Sequence, residues 1–309
     1  MELIRGLHNL RPRHQGCVTT IGAFDGVHHG HQAVLRQLIE QGKALALPTV
    51  VVVFEPLPRE YFAPKQAPAR LMSFREKFKA FEQLGIDRVL RIPFTPGFRE
   101  MGAKEFIHKV FVDGLAAKHI IVGDDLRFGR DRGGNFDLLK REGAMYGFDV
   151  VPTSTLAIHG ERVSSTRIRK ALEEANFDLA EELLGKPFSI TGRVIVGQQL
   201  GRQLDAPTAN LQLHRLRAPL SGVYAVEVKI DKQLQGGVAN IGTRPTVDDS
   251  LTAILEVHLL DFNQDIYGKT IEVIFRKKIR NEQKFDSIEQ LKQQIHQDIA
   301  TGREYLQAS

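Results

Sequence analysis

The chain has 309 residues, 42% hydrophobic and 26% charged, a mixture that supports an ordinary core, leaves length for two domains and excludes collagen-like, coiled-coil and wholly disordered classes. Lysine and arginine number 42 against 37 aspartates and glutamates, and the net charge of +5 suits anionic ligands such as phosphates without requiring nucleic acid. The single cysteine, Cys17, excludes an internal disulfide and a cysteine-rich zinc site, and no stretch approaches the roughly 18 apolar residues of a membrane span, so a soluble, unprocessed cytoplasmic protein is expected.

Cys17–Phe24 reads as a short buried strand, His31–Ala46 as a helix with Val34, Leu35, Leu38 and Ile39 on one face, and Thr49–Phe54 as a valine-rich strand; together they form a βαβ unit. Ser73 and Glu76 make a capping box ahead of Phe74, Phe78, Phe81 and Leu84, and the strand Arg88–Ile92 follows. Phe106–Val112, His119–Val122, Leu138–Tyr146 and Phe148–Val151 continue the alternation, which predicts an α/β, Rossmann-like domain with a mostly parallel sheet and helices on both faces. After the break at Gly185-Lys186-Pro187 the period becomes two. Tyr224, Val226, Val228 and Ile230, then Leu255, Val257 and Leu259, then Ile271, Val273 and Phe275 mark antiparallel strands, with Gly236-Gly237 and Asp248-Asp249 as turns. A helix from Asp286 carries Ile288, Leu291, Ile295 and Ile299 as one stripe. The expected second domain is a small barrel closed by that C-terminal helix, and the division falls between residues 1–185 and 186–309.

The densest chemical signal is Gly22-Ala23-Phe24-Asp25-Gly26-Val27-His28-His29-Gly30-His31, where the first strand ends and the first helix begins. Such a junction presents unpaired N–H groups and the positive dipole end, and glycines let a phosphate approach the main chain. His28 and His31, three apart, share a face at the helix start and can donate to phosphate oxygens. For an isolated pair the plain reading is a solvated or capping role, and Asp25, His28 and His31 as zinc ligands are the sharper competitor. The strand-to-helix setting favours phosphate, as do the residues Arg162-Val163-Ser164-Ser165-Thr166-Arg167-Ile168-Arg169 ahead of the helical pattern Ile168–Ala175. Hydroxyls there can cap a helix and touch phosphate together; an ordinary cap with solvated arginines is the alternative.

Gly22–His31 resembles the HxGH signature of nucleotidylyltransferases, and Ser164–Arg169 resembles that superfamily's second signature, S-S-T-x-I-R. The likeness extends to Phe54-Glu55-Pro56, Val122–Gly129, Pro207-Thr208-Ala209-Asn210, Gly222-Val223-Tyr224, the segment from Asn240 to Thr246 and Glu256–Asp261. Nearly the whole chain is thereby similar to the bifunctional bacterial riboflavin kinase/FAD synthetase family. The resemblance implies an N-terminal Rossmann-like nucleotidylyltransferase domain followed by an antiparallel β-barrel riboflavin kinase domain.

For the first half it implies transfer of AMP from ATP to FMN with release of pyrophosphate. His28 and His31 match the histidines that steady the triphosphate, and Arg162, Ser165 and Arg169 match phosphate-contacting positions. Gly22, Phe24, Asp25, Gly30, Ser164, Thr166 and Arg167 fall within the same implied site. Phe54, Phe62 and Phe128 offer faces for an isoalloxazine ring, although aromatic residues are more often core, and Asp124 and Asp125 sit beside nucleotide and flavin. For the second half the resemblance implies phosphorylation of riboflavin by ATP. Glu256 matches the general base, Thr208 and Asn210 the Mg2+-binding pair, and Asn240 a cofactor position; Gly192–Leu204 is the phosphate-covering loop, with Gly197 and Gly201 as flexible points. Riboflavin, FMN and ATP are the implied partners, with no nucleic acid or membrane, and the number of subunits stays open.

Two positions depart from the family's pattern. Asp205-Ala206 stands where Gly-Phe is common, adding a carboxylate that repels a triphosphate, and Leu126 replaces a common Phe, which alters packing more than chemistry. The rival readings are a cytidylyltransferase of the same superfamily, which has no use for Pro-Thr-Ala-Asn and Glu256, and a basic nucleic-acid-binding protein using Arg127, Arg130, Arg132, Lys277, Lys278 and Arg280.

Overall fold

The computed structural model describes residues 1–153, 155–197, 206–213, 215–245 and 251–308. The chain forms two compact units, Met1–Pro68 with Phe74–Val163, and Ala69–Ser73 with Ser164–Ser309.

In the first unit β1 (Glu2–Arg5), β2 (Val18–Ile21), β3 (Thr49–Glu55), β4 (Arg88–Pro93), β5 (His119–Val122) and β6 (Asp149–Pro152) form one parallel sheet in the order β1-β4-β3-β2-β5-β6. Val18, Val50, Val51, Val52, Val53, Ile120 and Ile121 are sealed from solvent, the β-branched run of strands covered on both faces. Helices His29–Leu45, Phe74–Leu84 and Phe136–Tyr146 form where the periodicity places them, whereas Phe106–Val112 divides into the helix Ala103–Ile107 and a π-type turn, His108–Val112. The edge strand β1 escapes sequence reading because it is only four residues long and carries Glu2 and Arg5, as edge strands tend to. A short hairpin of β7 (Ala157–Ile158) and β8 (Glu161–Arg162) follows the sheet. The chain leaves β2 toward β3 and leaves β5 toward β6, so the strand order reverses between β2 and β5. The carboxyl ends of those two strands flank the crevice in which open parallel sheets bind ligands.

The second unit begins with helices Ser165–Glu173 and Phe177–Leu184. Gly185 ends the latter in a left-handed conformation, φ 78°, which glycine adopts without steric cost. Then β9 (Ser189–Ile195), β10 (Thr208–Gln212), β11 (Gly222–Ile230), β12 (Gln233–Pro245), β13 (Leu251–Leu259) and β14 (Thr270–Arg280) close an antiparallel barrel in the order β10-β13-β12-β11-β14-β9, with β9 paired to β10. Tyr224, Val226, Val228, Leu255, Val257, Ile271, Val273 and Phe275 fill its interior. The two leading helices pack with the barrel, Phe177 edge-on to Tyr224 at 5.9 Å, so this compact unit starts before the change of period at Gly185; helical periodicity says nothing about which sheet a helix covers.

Two local expectations are corrected. Gly236-Gly237 is not a turn: both lie inside β12, opposite Glu227 and Val226, and the hairpin reverses at Asp231-Lys232. A Cβ at Gly237 would stand 2.8 Å from the His258 carbonyl oxygen, so this glycine serves close backbone approach. The C-terminal helix runs Ile288–Ala308, but Ile288, its first residue, is 68% exposed and does not share the burial of the rest of the stripe. The pair Asp248-Asp249 lies outside the described residues. Among the described residues no helix is long and apolar enough to cross a membrane.

Candidate functional site

The connection from β2 into helix His29–Leu45 contains two non-glycine residues in left-handed backbone, Phe24 at φ 47° and Val27 at φ 41°. A β-branched residue there is strained, and such strain persists only where the surroundings over-determine it. The buried Phe24 ring supplies part of that constraint, edge-on to Phe81 at 5.6 Å and tilted against the His31 ring at 5.2 Å. His28 is the helix N-cap: its Nδ1 accepts the backbone N–H of His31 at 3.3 Å. With Nδ1 so used, the neutral ring carries its proton on Nε2 and keeps one donor for a ligand. The His28 and His31 rings stack at 3.7 Å with 16° between their planes. At Gly30 a Cβ would stand 3.2 Å from the His28 ring and 3.4 Å from the Val163 carbonyl oxygen, so the turn tolerates little else.

Both imidazoles are neutral at pH 7. Burial pushes His28 down to about 4, with Arg162 and His29 adding to the fall and Asp25 opposing it. His31 is driven well below its ordinary range by burial first, and then by repulsion between its protonated form and a protonated His28, Lys77 and Arg162. Its Nδ1 is buried without a hydrogen-bond partner, the kind of orphan that marks a ligand position. Among the described residues no three His, Cys, Asp or Glu side chains are grouped to hold a metal ion, so the zinc set of Asp25, His28 and His31 does not form.

Arg162, at the end of β8, meets Asp125, in the loop after β5, with Nη1 3.2 Å from Oδ2. Both are more than half exposed, so the pair adds little stability, but it brings two separately predicted residues to one edge of the switch point. Lys77 went unrecognised in the sequence. It is fully buried, and its Nζ donates to the Ala23 carbonyl at 3.2 Å. The available signal was position: Lys77 falls three after Phe74 and four before Phe81, on the apolar face of its helix.

The predicted flavin aromatics occupy three different environments. Phe54, at the end of β3, packs on Phe94 at 5.7 Å and Phe98 at 5.3 Å. Phe62 touches Phe94 at 5.6 Å, lies under the Arg99 guanidinium at 5.7 Å and is 57% exposed. Phe128 is core, tilted against Phe106 at 5.2 Å. In the second signature Ser164 is the N-cap of helix Ser165–Glu173, its Oγ accepting the Arg167 N–H at 3.3 Å. Ser165 and Arg167 are half-buried in the first turn, Thr166 is exposed, and Arg169 Nε donates to the Ala69 carbonyl at 2.6 Å.

On the barrel, strand register assembles the second constellation. Glu256 on β13 is directly opposite Asn210 on β10 and Asn240 on β12, and opposed residues share a face. One step along, His258 lies opposite Thr208 and Val238. Leu255 and Val257 are buried to the other side, as the alternation predicts for Glu256 facing away from them. His258, also unrecognised in the sequence, donates from Nδ1 to the Pro207 carbonyl at 3.0 Å and steadies the start of β10. A cavity of about 300 Å3 is walled by Glu256, Asn240, Thr208 and His258 on one side and by Leu291, Ile295 and Ile299 of the C-terminal helix on the other. That apolar stripe is only half-buried because it faces the cavity. A second cavity of about 330 Å3 is lined by Gly197, Thr208, Asn210 and the segment Phe262–Tyr267, and Thr208 borders both. A Cβ at Gly197 would collide with the Asn210 amide. Gly201 and Asp205 lie outside the described residues; Ala206 is buried in the wall of the first cavity.

The basic cluster at the end of β14 is corrected from a free cationic patch. Arg280 forks onto Asp298, Nε to Oδ1 at 2.9 Å and Nη2 to Oδ2 at 2.7 Å, which fastens the C-terminal helix to the barrel. Lys277 and Lys278 lie over the rings of Tyr305 and Tyr224 at 5.0 and 5.9 Å.

Fold and site together describe a protein with two candidate centres, one at a parallel-sheet switch point and one on a barrel wall. The chain matches the FAD synthetase family over residues 10–167 and the riboflavin kinase family over residues 184–306. It is 54% identical over 303 residues to the bifunctional riboflavin kinase/FMN adenylyltransferase of Pseudomonas fluorescens, covering 98% of this chain and 97% of that one. To the protein of the same name from Escherichia coli strain K12 it is 51% identical over 307 residues, with 99% and 98% covered. A crystal structure described as a macrolide-efflux protein from Streptococcus pneumoniae shares the fold at a TM-score of 0.75 and 31% identity, covering 96% of this chain and 97% of that one. The chain belongs to the bifunctional riboflavin kinase/FMN adenylyltransferase family.

Proposed function

We infer that this chain phosphorylates riboflavin with ATP to give FMN, and then transfers AMP from ATP to FMN to give FAD and pyrophosphate. The observation that carries the reading is the co-occurrence in one chain of both family matches, each on a unit with a fitting site: a neutral histidine pair with an orphaned nitrogen, and a carboxylate flanked by two amides. The work divides as residues 1–185 and 186–309, a division supported by the riboflavin kinase match over residues 184–306. The lone, buried Cys17 thiol fits a reducing cytoplasm.

In adenylyl transfer a phosphate oxygen of FMN attacks the α-phosphorus of ATP as the bond to pyrophosphate breaks, so the protein needs alignment and charge stabilisation more than a nucleophile of its own. His28 and His31 supply neutral donors held in place before the substrate arrives, with no reorganisation left to do during reaction. Arg162, Ser165 and Arg169 are assigned to the phosphates on the strength of the second signature, and Gly22, Asp25, Gly30 and Asp125 to the nucleotide. Phe62, the exposed member of the aromatic group, is the face assigned to the flavin ring, with Phe54 and Phe128 as its support.

In the kinase reaction Glu256 takes the proton of the ribityl 5′-hydroxyl as that oxygen attacks the γ-phosphorus of ATP and the bond to the ADP oxygen breaks, releasing ADP. The flavin body occupies the cavity beneath Leu291, Ile295 and Ile299, and Asn240 orients the hydroxyl chain. Thr208 and Asn210 fit a hard divalent cation: both offer oxygen, they share one face of β10, and the missing Cβ of Gly197 leaves room around the Asn210 amide. Bound Mg2+ would neutralise charge on the ATP phosphates. Purified protein incubated with riboflavin, ATP and magnesium, followed by chromatographic separation of flavins, should yield both FMN and FAD; absence of both from a folded sample overturns the reading.

A further inference from the structure

We propose that Lys77 is a positioning residue of the adenylyl-transfer centre, anchoring the Gly22–Gly26 turn through the Ala23 carbonyl and setting a fixed positive charge beside His31. The inference rests on the assignment of that centre to adenylyl transfer. A lysine is fully buried only where folding supplies partners for it; Lys77 is 0% exposed, and one of its hydrogen bonds ends on the loop bearing the signature residues, 3.2 Å away at Ala23.

The geometry gives that charge two tasks. Ala23 lies between Gly22 and the strained Phe24, so the Lys77–Ala23 bond opposes relaxation of the strained connection and keeps the His28–His31 stack in register. The His31 ring is bounded by Phe24 and His28 and lies within the electrostatic reach of Lys77 and Arg162. Cations on that side disfavour imidazolium, so His31 meets the triphosphate as a neutral donor. The ammonium also adds to the positive potential of the helix N-terminus.

The test compares wild-type protein with Lys77→Met, which keeps length and loses charge, and Lys77→Gln, which keeps a donor for Ala23 without charge. Each is assayed for FAD formation from FMN and ATP, for FMN formation from riboflavin, and for the His31 imidazole titration by 15N NMR. Lys77→Met is expected to lose at least about thirtyfold in kcat for FAD formation, about 2 kcal/mol, with KM for FMN and the kinase rate within about threefold of wild type. Its His31 titration should move to higher pH. Lys77→Gln should recover thermal stability but no more than a small part of kcat, and it decides the matter if the Met variant does not fold. A kcat within threefold of wild type in either folded variant, or an unmoved His31 titration, overturns the inference while wild-type FAD formation stands. Wild-type protein that makes FMN but no FAD overturns the assignment of the centre and this inference with it.

Discussion

The histidine turn and the Glu256 face are the two centres proposed to act on phosphate groups, and they are assembled in opposite ways. In the first unit a parallel sheet delivers Gly22, Asp25, His28, Gly30 and His31 from one continuous segment, because the carboxyl end of β2 runs directly into a helix N-terminus. In the barrel, Asn210, Glu256 and Asn240 come from three strands and meet only through antiparallel register. In the first site the imidazoles are buried and held neutral by that burial; the second opens onto cavities of about 300 and 330 Å3. A contiguous site can be tuned by strain and burial, while a register-built site depends on every strand that carries it.

That contrast leads to outcomes that separate the two centres. The largest effect is expected for Glu256→Gln: without a base, FMN formation should fall by about a thousandfold, while FAD formation from added FMN stays within twofold, as read by flavin chromatography. His28→Ala should do the reverse, lowering FAD formation by about a hundredfold, roughly 3 kcal/mol, with the kinase rate and overall circular dichroism retained. Near-normal FAD formation by that variant would mean that His28 is only a cap. A Cβ at Gly197 displaces the Asn210 amide, so Gly197→Ala should lower kinase kcat about tenfold, about 1.4 kcal/mol, and raise the magnesium concentration needed for half-maximal rate, without touching adenylyl transfer.

The smallest effect is a pH dependence of stability confined to the first unit. His28 sits at about 4 in the folded protein against 6.5 when free, so between those values the unfolded chain binds more protons and acid favours unfolding. Stability is full above pH 6.5 and declines as pH falls toward 4, by about 1 kcal/mol at pH 5.5 for this one group. His28→Asn keeps an N-cap acceptor and should flatten the slope in thermal melts; an unchanged slope would place the dependence elsewhere.

The α/β alternation, the barrel period and the signature turn were readable along the chain because each depends on residues close in sequence: Val50–Val53 make a buried strand wherever they lie, and a glycine-flanked turn before a helix binds anions by its own backbone. Ser164 likewise announced a cap. Even Glu256's orientation followed from alternation alone, since Leu255 and Val257 are its neighbours. Other features depend on pairing across long separations, which no local pattern records. Tertiary structure alone decided that β1 joins the sheet through β4, that Gly236-Gly237 sits inside a strand, that Arg280 is spent on Asp298, and that Leu291, Ile295 and Ile299 line a cavity instead of a closed core. Lys77 belongs to the same group. Its helical phase placed it on the buried face, but only packing brings its ammonium to Ala23, because the cost of burying a charge is set by the partners that folding supplies.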